Sequence, residues 1–198
     1  MLKPLVSAAT ILIASAVPAF AHLDPAEHGS FMAGASHPLF GVDHILAMVA
    51  IGLWAALLGT NDRRTLWLVP AAFVGTMLAG FLAAAAGSPL PLVEPVILAS
   101  VVVIGLLAAA AFAVPIAAAM TLAGIFAFFH GHAHGVEMGA ASPFAYGAGF
   151  ALSTALLHIA GVAIGMAPVR LHGQAGRSIS RIAGAATAFG GIWLSLAG

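Results

Sequence analysis

Two short stretches of this sequence gather side chains able to hold a metal ion. The first runs His37-Pro38-Leu39-Phe40-Gly41-Val42-Asp43-His44, and the second Phe129-His130-Gly131-His132-Ala133-His134-Gly135-Val136-Glu137. On a continuous helix His130, His134 and Glu137 fall at i, i+4 and i+7 and share one face. Two imidazoles and a carboxylate on one face make half of a divalent-metal site. Pro38 suits the first turn of a helix, where its missing N–H would be unpaired anyway. Read that way, His37 sits at a mouth, with Asp43 and His44 roughly 9–10 Å deeper on the same helix. His37 and His44 then share a face, which Met48 continues one turn below His44. Imidazole and carboxylate without thiolate suit nickel, cobalt or zinc and disfavour copper(I), while magnesium and calcium call for mostly oxygen ligands. Asp43, Glu137 and Glu94 supply negative charge to neutralise a dication. Glu94, just before Pro95, also suits a helix N-terminus on its own account.

Not every histidine joins this reading. His132 points away from the His130 face and reads equally as a solvated loop residue or a ligand. His158 stands alone and reads as a hydrogen-bond donor between helices. His22 and His28 lie in a polar stretch and read as solvated.

The elements that position these groups follow from composition. Of 198 residues, 62% are hydrophobic and 6% charged, with a mean hydropathy of +1.11. A soluble domain carries about 25% charged residues. The composition excludes a water-soluble enzyme, a nucleic-acid binder and a disordered tail, and predicts an all-α polytopic membrane bundle forming one unit. The absence of cysteine excludes disulfides, thiolate metal sites and a cysteine nucleophile. Residues 1–21 read as a signal peptide, with Lys3, an apolar stretch and the Ala19-Phe20-Ala21 cleavage pattern. The mature chain, 22–198, then begins with an external lead-in over 22–36. Six spans are predicted at about 38–59, 66–86, 95–114, 116–134, 144–167 and 181–197.

Arg63 and Arg64 fall between the first two spans, and Arg170, Arg177 and Arg181 around the last loop. With the mature N-terminus in the periplasm, all five face the cytoplasm, as the positive-inside rule requires of an inner-membrane protein. Six spans divide into three plus three of inverted topology, as in many secondary transporters, with the two polar clusters in corresponding spans. Gly161-x-x-x-Gly165 and Gly80-x-x-x-Ala84 predict close helix approaches, and Pro115 a tight turn between the third and fourth spans.

The first stretch resembles the H-P-x-x-G-x-D-H signature of the HupE/UreJ family, nickel-permease-like membrane proteins accessory to hydrogenases and ureases. F-H-G-H-A-H-G-V-E at 129–137 is similar to the family's second motif. The resemblance covers the whole chain. It implies a metal-transport role for His37, Asp43, His44, His134 and Glu137, with His130 in the same motif and Glu94 as a further acidic position. It carries nothing over to His132. Nickel as the cargo, and a link to nickel-enzyme maturation proteins, are implied by the resemblance alone.

The function expected is therefore uptake of a divalent cation, nickel first with cobalt or zinc as alternatives, from periplasm to cytoplasm. The ion would pass His37, rest between Asp43/His44 and His134/Glu137, and move inward by way of His158. No prosthetic group is expected, and there is no G-x-x-x-x-G-K-[ST] motif for ATP hydrolysis. Two rival classes use the same residues. One is a zinc-dependent intramembrane hydrolase with an open position for water, and the other a metal-storage or sensor protein. Ser153 and His158 also suggest a serine protease, but no nucleophile-turn motif surrounds them.

Overall fold

The computed structural model describes residues 29–197, all-α throughout. The signal-peptide reading of 1–21, His22 and His28 lie outside the described residues. The helices are α1 (Ser30–Phe40), α2 (Val42–Leu58), α3 (Thr65–Ala85), α4 (Val93–Ala110), α5 (Ile116–Glu137), α6 (Pro143–His172) and α7 (Gln174–Ala197). Five of them, α3 to α7, are each long and apolar enough to cross a membrane; α1 and α2 pass that test together as a broken pair bent by 80°. The chain is thus a polytopic membrane bundle of five or six spans.

The break corrects two sequence-based expectations. The first span is not one helix begun at Pro38, and 22–36 is not all lead-in, since α1 already starts at Ser30. Pro38 lies inside α1, where it cannot donate to the carbonyl four residues back. Gly41 then takes an extended conformation, φ −83° and ψ 113°, which ends α1 and starts α2. Its carbonyl accepts the Ile45 N–H at 2.9 Å as the first bond of the new helix.

Helix α2 is apolar on every side and its Ile51–Leu58 stretch is wholly buried, as expected of a helix surrounded by others. It packs on α6, α4, α3 and α7. Trp54 anchors it, donating its indole N–H to the Phe112 carbonyl at 3.2 Å. Two other closely matched pairs, α3 with α5 and α4 with α7, complete the bundle. Its outside is apolar, with Phe144, Ile182 and Leu196 exposed, so lipid rather than water is its solvent.

No hydrophobic effect presses helices together in lipid, so their approach depends on small residues. A Cβ on Gly131 of α5 would collide with the Met77 backbone of α3, its carbonyl carbon 2.6 Å away. Gly161 of α6 meets Gly52 of α2 in the same way, at 3.0 Å. Acidic Asp43, Glu94 and Glu137 cluster at one end of the bundle. Arg63, Arg64, Arg170, Arg177 and Arg181 fall at the other, the arginine end. There Arg181 of α7 donates its Nε–H to the Ala109 carbonyl in the last turn of α4, at 2.7 Å.

Candidate metal centre

The broken first span is what assembles the site. Helix α1 lies along α6, where Gly34 faces the Tyr146 backbone and Gly149 the Phe31 backbone. Ser153 of α6 donates its hydroxyl to the Ala35 carbonyl, and Ser30 accepts the Ser142 N–H at 2.8 Å. These contacts hold His37 over the start of α2 instead of one face above His44 on a single rod. The ring centroids of His37 and His44 are 6.2 Å apart across the bend. Gly41 leaves room for the His44 and Asp43 side chains: a Cβ there would lie 2.9 Å from His44 Nδ1 and 3.0 Å from Asp43 Oδ1.

Helix α5 stays continuous through its glycines and supplies the opposite wall. His37 Nε2 lies 2.7 Å from Glu137 Oε2, and the His37 and His134 rings are 4.8 Å apart. One ligand atom each from His37, His134 and Glu137 falls within 4.8 Å of the others, a spacing from which all three can reach one ion. His44 sits just beneath, 4.8 Å from His134 and 5.1 Å from His130 between centroids. Asp43 Oδ2 is 3.0 Å from His44 Nδ1. Five of the seven sequence-predicted residues thus form one contiguous cluster, from a rim at Glu137 and His37 to a floor at His130, with Asp43 flanking it.

Exposure falls from rim to floor. The Glu137 side chain is 38% exposed and that of His37 7%, whereas His130 and His134 are at 0%. Neither ring nitrogen of His130 or His134 has a hydrogen-bond partner among the described residues. Each such buried group costs about 1–3 kcal/mol when unsatisfied. Donors of this kind, side by side with carboxylates at the rim, match the demands of a dication that prefers nitrogen and oxygen.

Glu94 stands slightly apart. It borders a cleft of about 200 Å³ with His132 and Glu137, at the approach to the trio rather than within it. His132 is neither solvated nor turned toward the trio. It is buried on the far side of α5, its Nε2 2.8 Å from the Ser88 carbonyl, tying α5 to the segment that leads into Glu94. His158 is buried, and neither of its ring nitrogens has a hydrogen-bond partner among the described residues. The interhelical bond expected of it is replaced by a ring contact with Phe73 at 5.0 Å.

Sequence reasoning overlooked three aromatic residues. Phe150 stacks on His134, centroids 5.0 Å apart and planes 23° from parallel. Tyr146, one turn earlier on α6, lies 6.2 Å from His37. Phe73 stands edge-on to His130 at 5.7 Å. An isolated aromatic in an apolar span gives no signal of its own. The spacing of Tyr146 and Phe150, four apart on one helix face, was the sole hint.

Comparison with known proteins agrees with this architecture. Residues 10–194 match the family model described as HupE / UreJ protein. The chain is 43% identical over 187 residues to Protein HupE of Rhizobium leguminosarum bv. viciae, covering 93% of this chain and 95% of that one. No solved structure matches.

Proposed function

The chain belongs to the HupE/UreJ family, and from that premise we propose that it is a membrane permease carrying a divalent transition-metal ion, nickel first, from periplasm to cytoplasm for nickel-enzyme maturation. The observation that carries this reading is the convergence of His37, His134 and Glu137 on one point. Glu94 and Glu137 attract the cation at the rim. His37, His134 and Glu137 replace part of its water shell. His44 and His130 offer the next donors, with the Asp43 carboxylate compensating charge beside them. Phe150 fixes the plane of the His134 ring, so the donor is aimed before the ion arrives.

The proposed orientation places the acidic end outside and the arginines inside. Uptake in that direction needs no nucleotide. Two charges moving down the membrane potential release about 4.6 kcal/mol per 100 mV, roughly a 2000-fold accumulation. The close pairing of α3 with α5 and of α2 with α6 supports halves of inverted topology, because exchanging the halves turns one pair into the other. Ser153 is engaged with the Ala35 carbonyl, which favours transport over the serine-protease alternative.

Nickel-63 uptake into vesicles holding the purified chain tests the proposal. His44→Ala and Glu137→Ala should each abolish uptake while leaving the protein monodisperse. Wild-type rates in both folded variants would refute it.

A further inference from the structure

His158 is a wholly buried imidazole that the outer site does not use. At 1.5 Å per residue, His130 lies about 10 Å below the acidic end of α5, Phe73 about 18 Å below that end of α3, and His158 about 22 Å below that end of α6. The three rings therefore follow one another in depth. Phe73 is in edge contact with both neighbours, 5.7 Å from His130 and 5.0 Å from His158, and it is itself 0% exposed. Beside His158 the packing of α3 against α6 opens, from Val74 and Ala155 at the level of Phe73 down to Leu66. His158 borders a groove of about 380 Å³ between α3 and α6, lined also by Leu66, Pro70 and Ile159. Leu66 in turn lines a pocket of about 320 Å³ at the arginine end, beside Arg63 and Arg170.

Histidines thus lie on both sides of one apolar ring, and the groove beside the inner one runs on toward the arginine end. We propose that Phe73 is the barrier of the permeation path, separating the outer cluster from His158, which acts as the inner landing imidazole for the same ion. This rests on the permease reading. A phenyl ring offers a cation no donor atom and leaves no room for its water shell, so passage requires Phe73 to swing aside. Imidazoles above and below give the ion a nitrogen to leave and a nitrogen to reach.

The chain has no cysteine, so His158→Cys introduces its sole thiol. A membrane-impermeant cationic methanethiosulfonate is applied to vesicles from the Glu137 side. With Phe73 in place the thiol should stay unmodified; with Phe73→Ala or Phe73→Ser it should react at least tenfold faster. Rapid modification beside an intact Phe73, or no acceleration in whichever of the two variants elutes as folded protein, overturns the barrier. In chains that keep His158, Phe73→Ala should raise nickel-63 uptake several-fold, whereas His158→Ala should lower it at least tenfold. Wild-type uptake that neither change alters overturns this proposal and leaves the permease reading standing. Acceleration of thiol modification with no nickel moved by any form supports the barrier and overturns the permease reading.

Discussion

Gly131 gives the sharpest test of how the site is held. Helix propensity alone expects Gly→Ala to stabilise a helix by about 0.8–1.0 kcal/mol anywhere in its interior. The structure separates two such changes on the same helix pair. A Cβ on Gly75 of α3 meets nothing within 4 Å, whereas on Gly131 of α5 it stands 2.6 Å from the Met77 carbonyl carbon. Relieving that overlap, in which the Met77 carbonyl oxygen is nearer still, moves α5 away from α3 by about 1 Å or more. Overpacking of this kind costs about 1–3 kcal/mol, which outweighs the propensity gain. Gly75→Ala should therefore melt at or slightly above wild type; for Gly131→Ala the net cost is about 0–2 kcal/mol, so it should melt up to about 8 °C below wild type, at about 2–4 °C per kcal/mol for a chain of this size. The functional effect is larger, because His130, His134 and Glu137 ride on α5. Disturbing the groups that hold metal ligands in place lowers metal affinity about 10–100-fold, so nickel affinity should fall by that order in Gly131→Ala and stay unchanged in Gly75→Ala. Thermal scans and equilibrium dialysis with nickel-63 read both effects. A Gly131→Ala protein that melts above wild type and binds nickel normally would refute the close-approach argument.

Three further outcomes are expected. Gly41→Ala, by crowding His44 Nδ1 and Asp43 Oδ1, should weaken nickel binding at least tenfold with a far-UV spectrum like wild type; unaltered affinity would show that the pair does not depend on that space. His132→Ala should lower stability by about 1–3 kcal/mol through the orphaned Ser88 carbonyl yet keep nickel uptake above half of wild type, while His134→Ala abolishes uptake; equal transport losses in the two would contradict their assignment to opposite sides of α5. Single thiols introduced by Asn61→Cys and Ala140→Cys should react with an impermeant reagent from the cytoplasmic and periplasmic sides respectively, and the reverse pattern would invert the proposed orientation.

Much of the bundle was legible because the lipid core imposes a length on each apolar run. The predicted spans 66–86 and 116–134 differ little from Thr65–Ala85 and Ile116–Glu137. The last two helices begin or end well outside their predicted limits, since polar residues such as Arg170 and Arg177 continue a helix beyond the apolar run. The break at Gly41 is not legible from periodicity, although Pro38 and Gly41 both stand in the sequence. Pro38 fits a helix start equally well, because its missing N–H would be unpaired there, and only packing of α1 along α6 decides otherwise. The spacing of His130, His134 and Glu137 sufficed to put them on one face of α5. It could not reveal that His37 reaches them from another helix, or that Glu94 stands at the approach. Those are facts of tertiary arrangement, which local periodicity does not encode.

The hydrogen bond from Arg181 to Ala109 bears on how the chain is assembled. In the proposed orientation, one guanidinium both retains the final loop in the cytoplasm and fastens α7 to the closing turn of α4. A terminal helix threaded in the opposite sense would carry that group to the far face, beyond reach of its acceptor. The clasp thus forms only after correct insertion, and replacing Arg181 should leave a larger share of chains with an undocked C-terminal segment exposed to membrane proteases.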